Sequence, residues 1–152
     1  MNHPTWIVVA DEGSARLVEY RPDDRSFDVI ETLADPLAHA RNADLQRDAS
    51  GRRGTAAHAA SITTSAGLEA SHQEAVNAAR RVVERLSSAR NDGRFDALII
   101  VAAPRFLGLL RNALTKDLQP LVKDEQALDL AGLPEPPLFE RLREFVRPGP
   151  RA

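Results

Sequence analysis

Two sets of side chains in this sequence could carry chemistry. One is acidic: Asp11, Glu69 and Glu74. The other is a glycine between arginines, Arg105, Gly108 and Arg111. Carboxylates that converge on two divalent ions about 4 Å apart hydrolyse phosphodiesters. Arginines instead offer a planar fork that matches phosphate or carboxylate. His3, His39, His58 and His72 show no zinc-ligand spacing. The absence of cysteine excludes disulfides and thiolate metal sites. No G-x-S-x-G elbow or Walker-type loop occurs, and Gly51-Arg52-Arg53-Gly54 is too short and generic to read as a phosphate loop. No metal or other cofactor is expected.

The chain that must position these groups has 152 residues, the size of a single domain with a proper core. A net charge of −2 argues against a protein that coats nucleic acid through bulk charge. Arginine carries nearly all the positive charge, since Lys116 and Lys123 are the only lysines. The longest apolar run, ALIIVAA, is too short to span a membrane. The opening MNHPTW has neither a basic nor an apolar signal region, so a cytoplasmic location is expected.

Apolar and β-branched runs at 5–10, 15–20 and 27–33, separated by Asp11-Glu12-Gly13-Ser14 and Pro22-Asp23-Asp24, read as a three-stranded meander. Residues 35–68 show no clear periodicity and read as a long loop, with disorder favoured. Ser71 and Glu74 have capping-box spacing, which predicts a helix from there to about Arg90. ALIIVA, 97–102, reads as a fourth strand, and Pro104 opens a helix to about Asp117. A fifth strand between Leu121 and Leu130 and a helix over 138–146 complete the domain, with 147–152 a frayed tail.

The order βββαβαβα is that of the ribonuclease H-like fold, an α/β arrangement in which helices cover both faces of a mixed five-stranded sheet. Nucleases of this fold draw acids from the first strand, the first helix, the end of the fourth strand and the last helix. Asp11 suits the first of these positions. The fourth strand, however, runs into Val101-Ala102-Ala103-Pro104 without an acid, and Glu74 already has a capping role. A hydrolase or nuclease is therefore the weakest of the readings.

The helix after Pro104 separates cleanly at 100° per residue. Phe106, Leu107, Leu110, Ala113, Leu114 and Leu118 fall on one arc; Arg105, Gly108, Arg111, Asn112, Thr115 and Lys116 fall opposite. Glycine on that polar arc costs about 1 kcal/mol relative to alanine. One physical reason to keep it is the close approach of another backbone or a ligand. With the arginines beside it and the positive end of the helix nearby, the arc reads as an anion-accepting surface. The bland alternative is a tolerated surface glycine among solvated arginines.

Trp6-Ile7-Val8-Val9-Ala10-Asp11 with Ala15-Arg16, Ser50-Gly51-Arg52, and Ala103-Pro104-Arg105-Phe106-Leu107-Gly108-Leu109-Leu110-Arg111 together resemble the bacterial host attachment protein family, in the family's order over nearly the whole chain. The resemblance implies a small protein linked by name to attachment of bacteria to host cells. Its architecture is also similar to the middle domain of archaeal and eukaryotic peptide-chain release factors, which presents a Gly-Gly-Gln loop before a long helix. The corresponding Ala49-Ser50-Gly51-Arg52-Arg53-Gly54 lacks that motif, which argues against peptidyl-tRNA hydrolysis.

The expectation is a non-enzymatic binding domain. Its partner is RNA, a ribosome or a protein, and its candidate residues are Asp11, Arg16, Arg52, Arg53, Arg105, Gly108 and Arg111. The alternative takes the family name literally, as a surface adhesion factor.

Overall fold

The computed structural model describes residues 4–34 and 56–146, with the backbone alone for 56–66 and 68. Five strands, β1 (Thr5–Ala10), β2 (Ser14–Arg21), β3 (Ser26–Ala34), β4 (Ala97–Ala102) and β5 (Val122–Ala127), form one sheet in the order β3-β2-β1-β4-β5. The helices are α1 (Ala56–Asn91), α2 (Pro104–Ala113) and α3 (Glu135–Val146). β1, β2 and β3 are antiparallel neighbours, whereas β4 runs parallel to β1 and β5 parallel to β4. The expected βββαβαβα order and mixed sheet are what the chain adopts.

Position in the sheet follows from composition. TWIVVA and ALIIVA are apolar on both faces, and they pair at its centre, where both faces are covered. Trp6, Val8, Leu17, Leu98 and Ile100 pack against α1 and α2. Ile7, Val9, Val18, Ile99 and Val101 pack on the other face, against Leu138 and Leu142 of α3. Between Leu17 and Val18 the pairing with β3 slips by one residue at Ile30. This bulge changes which face the strand offers. Phe27 and Val29 face α3, while Ile30 and Leu33 join the α1–α2 side.

Three boundaries differ from the sequence reading. The first helix begins at Ala56, so residues 56–68 are helical rather than loop, and Ser71 and Glu74 lie inside α1. Alanine-rich sequence carries a helix well without an apolar stripe. Among the described side chains of α1, the first buried one is Ala75. Residues 35–55 lie outside the described part. The second helix stops at Ala113, not Asp117: Leu114 turns extended, and the chain folds back through a 3-10 turn at Gln119–Leu121 that buries Leu118. The last helix starts three residues early, at Glu135, with Pro136 and Pro137 tolerated in its first turn.

Candidate functional site: the outer face of α2

α2 leaves the end of β4 through Pro104, which needs no hydrogen-bond donor in a first turn. Phe106, Leu107 and Leu110 are buried beneath it, as the wheel requires. Its ten residues contain no acid, and its N-terminus has no side-chain cap. The outward side is thus cationic on a chain whose net charge is −2.

Gly108 sits half-buried on that side, and a β-carbon placed on it would meet nothing within 4 Å. Packing within the described fold does not require a glycine there. Arg105 and Arg111 flank it, about 120° apart around the axis at 100° per residue. They do not converge on a single point. Arg105 Nε lies 3.8 Å from Glu12 Oε1 in the β1–β2 turn. Arg111 Nε donates to both carboxylate oxygens of Glu125 on β5, each at 3.1 Å. The arginines are 63% and 55% exposed, and Glu125 is 27% exposed.

The other sequence candidates divide differently. Asp11 builds the β1–β2 turn: its Oδ1 accepts the N–H groups of Gly13 and Ser14, both at 2.8 Å, in an Asx-turn arrangement. Arg16 reaches the opposite face of the sheet. Its Nη2 donates to the carbonyls of Leu130, Ala131 and Leu133 at 3.3, 2.7 and 2.6 Å, tying β2 to the loop before α3. Its Nε is buried without a hydrogen-bond partner. Arg52 and Arg53 lie outside the described residues, as do His3 and His39. Glu69 and His72 are exposed on α1, and Glu74 is half-buried there. Among the described residues no three acids, histidines or cysteines gather where an ion could be held.

Beside the β1–β2 turn is a shallow cleft lined by Asp11, Glu12, Ser14, Arg81, Val82 and Phe106, among others. Its volume of about 30 Å³ suits a water molecule or two, not a nucleoside. Trp6 is buried against Phe95, with ring centroids 4.9 Å apart, and so offers no exposed ring for a base to stack on.

Glu12 and Glu125 were not singled out in the sequence. Glu12 meets Arg105 from the far end of the chain, whereas Glu125 lies 14 residues beyond Arg111, on the next strand.

Residues 6–142 match the model of a family described as "Protein required for attachment to host cells". The chain belongs to this family. The match runs from the buried Trp6 of β1 to the buried Leu142 of α3, so it spans both halves of the core and the whole of α2. No curated protein matches this host-attachment family member.

Proposed function

We propose that this host-attachment family member is a non-enzymatic binding domain, acting in the cytoplasm, that holds RNA, free or ribosomal, against the outer face of α2. The observation that carries the reading is the open side of Gly108 between two arginines on a helix without acids. A glycine with no internal reason leaves room for something from outside to come close. Guanidinium groups and an uncapped helix N-terminus both favour an anionic visitor. Asp11 is engaged in turn-building, which gives a hydrolytic mechanism little to work with.

Binding of a labelled RNA at increasing salt tests this. Phosphate contacts release counterions, so affinity falls linearly on a log–log plot, with a slope of about −0.7 per contact on a single strand. Two arginines predict a slope near −1.4, steeper if Arg52 and Arg53 contribute. Affinity that is flat with salt would exclude RNA and favour a protein partner. The half-buried Leu109 beside Gly108 and the acids Glu12 and Glu125 at the rim support that second reading.

The family's description also admits an adhesion factor at the cell surface. Fractionation of the native cells separates the two: protein outside the membrane would overturn the cytoplasmic assignment. Among the described residues no helix is long and apolar enough to cross a membrane.

A further inference from the structure

We infer that Glu125, and more weakly Glu12, restrain the anion site by partly neutralising its arginines and, at Arg111, holding the Nε side, so that an incoming phosphate competes with them. This rests on the RNA reading of α2 and goes one step further, assigning a regulatory role to two acids outside the helix. The geometry grades the two restraints. Glu125 takes Arg111 Nε with both oxygens at 3.1 Å, while Glu12 stands 3.8 Å from Arg105 Nε, beyond hydrogen-bond reach.

The strand beneath Glu125 helps fix it. Asp124 Oδ1 accepts the Glu125 backbone N–H at 2.9 Å, and Gln126 Nε2 donates to Asp124 Oδ2 at 2.9 Å. The β1–β2 turn holds Glu12 less directly, through Asp11 and its neighbours.

An exposed pair of this kind contributes roughly 0.2–1 kcal/mol. Displacing it subtracts that amount from binding, and the carboxylate also repels the incoming phosphate. The restraint is therefore a modest, salt-sensitive bias. Both Glu125 oxygens share the one Nε–H of Arg111, whereas a phosphate can accept the guanidinium fork with a fuller charge, which makes it the group able to outcompete the pair.

The test is fluorescence anisotropy of a labelled single-stranded oligouridylate with wild-type protein, Glu125→Gln, Glu12→Gln, Arg111→Gln and the double variant Glu125→Gln/Arg111→Gln. Glu144→Gln on α3 makes the same change in net charge elsewhere. Circular dichroism confirms that each variant is folded. At about 50 mM salt, Glu125→Gln should bind roughly 1.5- to 5-fold tighter, converting the exposed-pair range above. Glu12→Gln should gain less, and Glu144→Gln should match wild type. The Glu125→Gln gain should disappear in the Arg111→Gln background, because the restraint acts through that arginine.

If wild type binds and Arg111→Gln weakens it, yet Glu125→Gln binds no tighter, the restraint is overturned and the RNA reading survives. An equal gain from Glu144→Gln overturns it too, since bulk charge would then explain the effect. No binding by any variant overturns both and points to a protein partner.

Discussion

Arg16 and Arg111 are the same residue type put to opposite uses on the two faces of one sheet. Arg16 holds three backbone carbonyls in the loop before α3, and part of its guanidinium is buried. Arg111 stands more than half exposed and meets one carboxylate at the sheet edge. The first cannot be released without stranding polar groups; the second can change partners at little cost. An arginine becomes available for binding when water can replace its internal acceptor. This separates Arg111 from Arg16.

Arg16→Ala gives the largest expected effect. Charged, part-buried hydrogen bonds to three carbonyls are lost together, for about 2–4 kcal/mol of destabilisation, read as a shift in urea midpoint. RNA affinity of the protein that remains folded should be unchanged. A loss below about 0.5 kcal/mol would erase the distinction between the two arginines.

Asp11→Ala should follow, at about 1–2 kcal/mol, because two N–H groups of the β1–β2 turn lose their acceptor. Gly108→Ala should act in the other direction. With open space at the β-carbon, the gain in helix propensity is about 1 kcal/mol of added stability, seen as a higher Tm. Destabilisation would mean that a neighbouring group crowds that side of Gly108. Arg111→Gln should change stability by no more than about 1 kcal/mol, and affinity for RNA should fall.

The core was the most legible part of the molecule. TWIVVA and ALIIVA announce central strands through unbroken apolar runs, and the wheel of α2 foretold which of its side chains are buried. The start of α1 was not legible, because its alanine, serine and threonine residues leave no apolar stripe in the sequence. The Ser71–Glu74 spacing then imitated an N-terminus inside an existing helix. Helix spacing put Arg105, Gly108 and Arg111 on one side of α2, but Glu12 and Glu125 reach them only through the fold. Arg16 read as a candidate binding residue. Its carbonyl acceptors lie more than a hundred residues away, beyond any local pattern.

Capture from lysate of the native cells, at low and high salt, with wild type and Gly108→Leu side by side, tests the central claim most directly. Leucine is a good helix former and nothing within 4 Å obstructs its β-carbon, so the variant should fold, which circular dichroism checks. Wild type should retain RNA at low salt and release it at high salt, while Gly108→Leu retains none at either. Equal retention by a folded Gly108→Leu would mean that the partner does not meet the protein at α2.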